Sequence, residues 1–134
     1  MAIAEMARVT RPGGHVIVFD FDYGARFIDS DFAAMTRRIE ALLASDPRNP
    51  AIGRELPHLM REAKLRVDAL EPMTVMTTVA IARRVYDAPL SKGVTTGVFT
   101  AGDVEAWWRE QEAMEQDGRL YHAQHGYIVA ASKS

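Results

Sequence analysis

One apolar segment constrains the fold of this chain more than any other. It spans residues 15–22 (HVIVFDFD), is rich in β-branched and aromatic side chains, and ends in two acids, Asp20 and Asp22. An unbroken apolar run of this kind is typical of a strand that helices cover on both faces. A Pro-Gly-Gly turn at residues 12–14 precedes it and ends a short amphipathic helix, because proline removes a backbone donor and glycine accepts positive φ.

The rest of the chain alternates between helical and strand patterns. Apolar residues spaced three and four apart predict two helices between the first and second strands, and two more between the second and third. Pro72 restricts the second strand to an edge or a bulge, and Thr100 with Asp103 approximates a helix capping box. The predicted order is helix, strand, helix, helix, strand, helix, helix, strand, which indicates a single α/β domain over residues 1–134.

Two element boundaries follow from acids and prolines. The first strand is predicted to end at Asp22, with a connector that runs to Ser30. The fourth helix is predicted to span residues 79–86 and to end before Pro89, because proline cannot donate a helix hydrogen bond. Residues 91–97 are then predicted to form a loop.

Composition and charge exclude several classes of function. The 134 residues contain 16 Lys and Arg against 18 Asp and Glu, so the net charge of -2 offers little attraction for nucleic acid or anionic lipid. Without cysteine there is no disulfide, thiol nucleophile or cysteine-bound zinc. No apolar run approaches the roughly 20 residues of a membrane span, and residues 1–11 lack a secretory signal. We therefore expect a cytoplasmic protein with neither nucleic acid nor a membrane as partner.

The segment AEMARVTRPGGHVIVFD at residues 4–20, the passage over residues 52–67 and the final YIVAASK together resemble class I S-adenosylmethionine-dependent methyltransferases, especially the small-molecule branch that includes the ubiquinone and menaquinone methylases. Residues 4–20, AEMARVTRPGGHVIVFD, are similar to the family's "RVLRPGG–hydrophobic strand–D" segment. Residues 52–67 resemble its "GR-x-L … L-x-x-A-G-L/F-x-V" passage, with Lys64 where glycine is usual, so a residue less suited to positive φ must make that turn. The Trp-containing helix and the final YIVAASK strand resemble the end of the family's domain.

This resemblance covers nearly the whole chain but only the second half of the family's domain. It implies a partial Rossmann-like sheet made of the family's fifth, sixth and seventh strands, with the last strand antiparallel between the other two. It implies the substrate-side half of a small-molecule methyltransferase. The family's glycine-rich cofactor turn follows its first strand, whereas Gly13 and Gly14 precede a strand here. S-adenosylmethionine is thus expected as a cofactor only if a partner chain or upstream sequence supplies the missing half.

The same resemblance predicts a partner. The strand around Ile17 would lack the neighbour it pairs with in a complete domain, which leaves a long apolar edge with unpaired amides. We expect a homo-oligomer, or another chain paired at this strand. A non-catalytic dimeric binding or assembly module is the alternative to the enzyme, and a small stand-alone enzyme that uses Asp20 and Asp22 is a third possibility.

No catalytic residue is assigned, but five residues are candidates for substrate binding. Asp20, Asp22 and Tyr23 follow the first strand, and ligands of open α/β sheets collect at the carboxyl ends of strands; the acids could equally cap the strand and begin a turn. Arg54 lies near a helix start and could bind an anion or pair with an acid such as Glu55 or Glu62. The remaining candidate is Trp108.

The two adjacent tryptophans point in directions about 100° apart on a helix. One is therefore expected in the core, and the other, Trp108, against a pocket or an interface. A small apolar ligand is a further possibility, because Phe32, Met35, Met60, Met73, Met76 and Met114 could line an adaptable pocket, although an ordinary core explains them as well. The four histidines show no metal-ligand spacing, so no metal is expected.

Overall fold

Residues 2–45 and 47–134 are described by a computed structural model, and they form five helices and three strands. The α/β class and the predicted order of elements are confirmed. The elements are α1 (Ala2–Val9), β1 (His15–Ile28), α2 (Ala33–Ser45), α3 (Ile52–Glu62), β2 (Leu65–Met76), α4 (Val79–Thr95), α5 (Ala101–Gln116) and β3 (His122–Lys133).

The three strands form one sheet in the order β1-β3-β2. β3 pairs antiparallel with both neighbours, so that Val129 lies opposite Val18 on one side and Leu70 on the other. β1 and β2 therefore run parallel to each other and form the two edges. The last strand lies between the other two, as expected. Pro72 is on an edge strand, which confirms the first of the two positions predicted for it; the irregularity of β2 lies elsewhere, between Val67 and Ala69.

Two clusters of buried side chains hold the helices to the sheet. The first lies between α1, α3 and one face of the sheet, where large side chains such as Leu56 and Met60 are almost fully buried. Burial of a side chain of this size stabilises the fold by about 1.5–3 kcal/mol. The second cluster joins α2, α4 and α5 and is rich in aromatic residues; it comprises Ile39, Leu43, Val79, Ala82, Tyr86, Leu90, Phe99, Trp107 and Trp108.

Strand β1 differs from its prediction in two ways. Both faces were expected to be covered, but Ile17 is 69% exposed and Phe19 is 41% exposed. The covered face is the one that carries Val16, which packs in the first cluster. The strand also continues beyond Asp22 to Ile28, because it resumes pairing with β3 after an irregularity.

Helix α4 is longer than the sequence predicts. It continues through Pro89 to Thr95, so the predicted helix end and the predicted loop at residues 91–97 are both wrong. A proline inside a helix costs about 3 kcal/mol, and burial of Pro89, Leu90 and Gly93 offsets this cost. Gly93 permits the close packing, since a Cβ there would lie 2.9 Å from the ring of Phe99.

The turn between α3 and β2 is made by Lys64, which has φ of 63°. This confirms that a residue other than glycine makes the turn. A side chain in this left-handed region costs about 1–2 kcal/mol, because Cβ approaches the following carbonyl oxygen.

We expect Lys64→Gly to raise the free energy of unfolding by about 1 kcal/mol, because glycine adopts φ of 63° without that clash. Urea unfolding measures the change. Lys64→Ala is the matched control: it removes the same exposed side chain but keeps Cβ, and it should stay within about 0.5 kcal/mol of the parent. An equal gain in both variants would contradict the explanation.

Candidate functional site

A bulge in β1 shapes the region around the predicted site residues. Phe21 pairs with Gly126 and Arg26 pairs with Gln124, so residues 22–25 lie opposite the single residue His125. Such a bulge bends the strand and redirects its side chains. The backbone N–H of Tyr23 leaves the sheet and donates to the carbonyl oxygen of Pro50 at 2.7 Å.

The side chain of Gln124 holds this bulge in place. Its Nε2 donates to the carbonyl oxygen of Asp22 at 2.6 Å, and its Oε1 accepts from Nε of Arg26 at 2.7 Å. One amide on β3 thus fixes both ends of the extra segment. Gly53 on α3 makes close approach possible, since a Cβ there would lie 2.7 Å from the backbone nitrogen of Asp22.

Two of the predicted substrate-binding residues are paired with each other. The carboxylate of Asp22, only 2% exposed, accepts from Nη2 of Arg54 at 2.8 Å and also from its Nε. This two-point hydrogen bond raises the pKa of Arg54. Arg54 thus pairs with Asp22 rather than with Glu55 or Glu62. The ion pair anchors the bulge to α3 and leaves little charge for a ligand.

The other two strand-end candidates have different surroundings. Asp20 is half-buried, and its Oδ1 accepts from the backbone N–H of Phe21 at 2.8 Å. Tyr23 is half-buried, and its pKa is raised by burial and by the negative charge of Asp20. Tyr23 lines a pocket, whereas neither acid does. Asp20, Asp22 and Tyr23 are close together in sequence, but they are therefore not gathered into one site.

This pocket is the best-formed apolar cavity near the carboxyl ends of β1 and β2. Its volume is about 300 Å³, the lower end of the range for small-molecule sites. The second half of β1, the end of β2 and the first half of α4 form its walls. The lining residues are Phe21, Tyr23, Arg26, Val75, Thr77, Ile81, Ala82, Val85, Tyr86 and Gln124.

Arg26 is the one charged residue that lines this pocket. It is only 9% exposed, and its guanidinium carbon lies 5.0 Å from the centre of the Tyr86 ring. Nε is bonded to Gln124, but Nη1 has no hydrogen-bond partner among the residues that the structure describes. None of the carboxylates in residues 2–45 and 47–134 lies within 4.0 Å of it. Burial lowers the pKa of Arg26, yet an arginine stays protonated in proteins.

Within the described part of the chain, two further buried polar atoms near Tyr86 and the pocket have no hydrogen-bond partner. They are Oγ1 of Thr77, a pocket-lining residue, and Nδ1 of His122, whose ring stacks on Tyr86 at 5.8 Å. Nε2 of His122 donates to Oε1 of Gln111 at 2.6 Å, since the amide nitrogen of Gln111 donates elsewhere. Burial and the charge of Arg26 lower the pKa of His122 to about 4, so its ring is neutral at pH 7.

Trp108 lies in the second buried cluster and not at this pocket. Trp107 is fully buried and donates to Oγ1 of Thr36 at 3.0 Å. Trp108 stacks on Tyr86 at 6.0 Å and carries the guanidinium of Arg83 4.5 Å above its ring. Trp108 also lines a separate surface depression of about 390 Å³. Both tryptophans are therefore buried in the same cluster, and the expectation that only one of them lies in the core is wrong, because Trp107 contacts α2 while Trp108 contacts α4.

The residues suggested for an adaptable apolar pocket are dispersed. Met60 and Met114 are buried, while Phe32, Met73 and Met76 are exposed. Among the described residues, no three His, Cys, Asp or Glu side chains are grouped to hold a metal ion.

Sequence reasoning missed Arg26, Thr77, Tyr86 and Gln124. The signal available for Arg26 was an arginine followed by two apolar residues, which is consistent with a continuing strand. No local pattern indicates that Gln124 bonds it, because the two residues are 98 positions apart.

Comparisons with known proteins leave the function to be inferred from the site itself. No family model and no curated protein matches this sequence. Across residues 2–45 and 47–134, no helix combines the length and the apolar character that crossing a bilayer requires.

We expect the free energy of unfolding to fall as the pH drops from 6.5 to about 4 because of His122. The native state, with the His122 pKa near 4, binds fewer protons in this window than the unfolded chain, whose histidine pKa is about 6.5. The loss approaches about 1.4 kcal/mol per pH unit. Urea unfolding at a series of pH values measures it.

His122→Gln should remove this part of the pH dependence, and His15→Gln, a change at an exposed histidine, should retain it. Identical pH profiles for His122→Gln and the parent would contradict the assignment to His122.

Proposed function

We propose that this chain is methyltransferase-like: the substrate-side half of an S-adenosylmethionine-dependent small-molecule methyltransferase. The observation that supports this most strongly is the strand order β1-β3-β2, with the last strand antiparallel between two parallel ones. The sequence segments that resemble the family occupy the corresponding elements: the turn before β1, the passage from α3 to β2, and β3. The proposal describes the chain as a partial Rossmann-like domain.

The pocket is the proposed site for the methyl acceptor. It opens at the carboxyl ends of the parallel strands β1 and β2, where open α/β sheets bind ligands. Its walls are mostly apolar, with polar groups from Arg26, Thr77 and Gln124 to orient a bound molecule. Enzymes of the resembled family catalyse mainly by holding the acceptor close to the cofactor's methyl group. In this chain the pocket residues bind and orient the acceptor and exclude water from it.

The described residues do not fit the cofactor. A nucleotide-binding turn needs glycines directly after a strand, so that backbone amides approach the ligand. Gly13 lies before β1, has φ of 75°, and donates its N–H to the carbonyl oxygen of Lys133 at 2.8 Å. Gly14 is also closely packed, since a Cβ there would lie 2.7 Å from the side chain of Thr10. Both glycines shape a turn beside β3, and the proposed enzyme requires a cofactor-binding half from elsewhere.

The edge of β1 is the proposed position of that half or of another partner. In the sheet of the described residues, β1 pairs with β3 on one side only, and its apolar side chains Ile17 and Phe19 are exposed. An exposed apolar edge strand tends to pair with another chain. The same observation supports the alternative function, a non-catalytic dimeric binding or assembly module in which a second copy covers this strand.

We expect no binding of S-adenosylmethionine to this chain alone by isothermal titration. A polypeptide that also contains a glycine-rich strand-turn-helix, encoded upstream or by a partner gene, should bind it once joined to this chain. Micromolar affinity of the chain alone would overturn the proposal of a missing half. An upstream reading frame without such a segment, and no partner that supplies it, would favour the binding module.

We expect light scattering at micromolar concentration to give a mass above that of one chain, because β1 pairs with a second copy when no other partner is present. Ile17→Lys should lower the mass to that of a monomer, since a charge on an edge strand disfavours pairing. Val9→Lys, which changes an exposed apolar residue on α1, is the matched control and should leave the mass unchanged. A monodisperse monomer of the parent would contradict pairing between copies.

A further inference from the structure

The pocket beside β1 contains a buried positive charge that has no ion-pair partner in the described chain. Arg26 has one unpaired N–H, and none of the described carboxylates lies within 4.0 Å of its guanidinium. Glu40 is the acid whose negative charge opposes the lowering of the Arg26 pKa by burial, but its carboxylate accepts a hydrogen bond from the backbone N–H of Ile28 at 2.9 Å. A buried charge is costly unless it is paired and fully hydrogen-bonded. A bound anion would supply both the missing hydrogen-bond acceptor and the opposite charge.

The surroundings of Arg26 limit what kind of anion can enter. Tyr23 and Tyr86 supply aromatic surfaces, and Val75, Ile81 and Val85 supply aliphatic ones. These three aliphatic side chains are between about a third and a half exposed, so a bound molecule would cover apolar surface that now faces water. A phosphate or sulfate has more charged oxygens than Arg26 and the Thr77 hydroxyl can bond, and its remaining oxygens would face mostly apolar walls and lose their hydrogen bonds.

We propose that this pocket binds a small aromatic monocarboxylate, with its carboxylate at Arg26 and Thr77 and its ring between Tyr23 and the exposed side chains of α4. A cavity of about 300 Å³ accommodates a single ring with few substituents. A carboxylate oxygen gives the guanidinium N–H its acceptor in a charge-assisted bond. The hydroxyl of Thr77, which has no partner, donates to the same carboxylate.

This inference names the substrate class of the proposed acceptor pocket, and in that sense it rests on the proposed function. Binding at Arg26 requires no cofactor, however, so it is tested on the chain alone. A chain that binds the carboxylate but never acquires a cofactor-binding half would refute the methyltransferase and retain this site. A chain that acquires a cofactor-binding half but does not bind the carboxylate would refute this site alone.

The test is a titration of the full chain with benzoate, benzamide and inorganic phosphate. Binding is monitored by calorimetry and by the amide and arginine Nε signals in NMR spectra. Benzamide has the shape of benzoate without its charge. We expect benzoate to bind at least about tenfold more tightly than benzamide, a difference of about 1.4 kcal/mol, and to shift the signals of Arg26 and Thr77. Phosphate should not bind. Equal affinity for benzoate and benzamide, or binding of phosphate as tight as that of benzoate, would overturn the proposal.

Three variants separate loss of binding from loss of folding. Arg26→Met replaces the buried charge with an apolar side chain of similar length but also removes the bond to Gln124, so urea unfolding is used to confirm that the variant is folded, and benzoate should then bind no better than benzamide. Ile81→Glu places a negative charge at the rim, where the side chain is 53% exposed, and should weaken benzoate but not benzamide. Arg83→Met is the matched control: it removes another ring-stacked arginine, over Trp108, and should leave benzoate affinity unchanged. Preserved benzoate preference in Arg26→Met would refute the role of Arg26.

Discussion

Strand β3 is the only hydrogen-bonded neighbour of β1 and of β2 in the sheet formed by residues 2–45 and 47–134. Its central residues Val129 and Ala131 are fully buried, and they connect the two edge strands to the helices packed below. The same strand carries Gln124, whose amide holds the bulge of β1 and contacts Arg26. The pairing of β3 therefore fixes the sheet and also the position of the charged group in the pocket.

The two buried charges of the bulge region have opposite consequences. Asp22 is neutralised by Arg54 and also accepts from the backbone N–H of Gly24, so its cost of burial is offset by fixed partners. Arg26, four residues later, keeps an unpaired donor beside an open apolar pocket. Local departures from complete hydrogen bonding tend to occur at functional sites. Asp22 and Arg54 thus stabilise the fold, whereas Arg26 is the arginine proposed to bind a ligand.

Local sequence signals were sufficient for the order of the eight elements. The Pro-Gly-Gly turn, the capping box at Thr100 and the helical apolar stripes act over a few residues, so they can be identified in the sequence. The end of α4 could not, because the benefit of burying Pro89 and Leu90 arises from tertiary packing. The prediction that the face at Ile17 is buried was wrong. An apolar pattern indicates that a strand face tends to be covered, but it does not show whether a helix of the same chain covers it.

The candidate site was predictable only in its location. The sequence directed attention to the end of the first strand, and Tyr23 does line the pocket there. The acids beside it were chosen for their charge, but one is paired with a helix residue and the other with the backbone. Arg26 becomes distinctive only through its burial against Tyr86 and its bond to Gln124. Both of these arise from contacts between elements far apart in the chain.

The late position of β3 also governs the order in which this protein can fold. His15 pairs with Ser132, and Leu65 pairs with Lys133. Neither edge strand can therefore pair with β3 until the ribosome has made this last strand. Closing such long loops before any pairing is gained slows folding. Until then the apolar strand β1 is unpaired on both of its edges, and nascent chains are prone to associate with one another. Synthesis of this protein at high rates should therefore depend on chaperones that hold β1 until the last strand emerges.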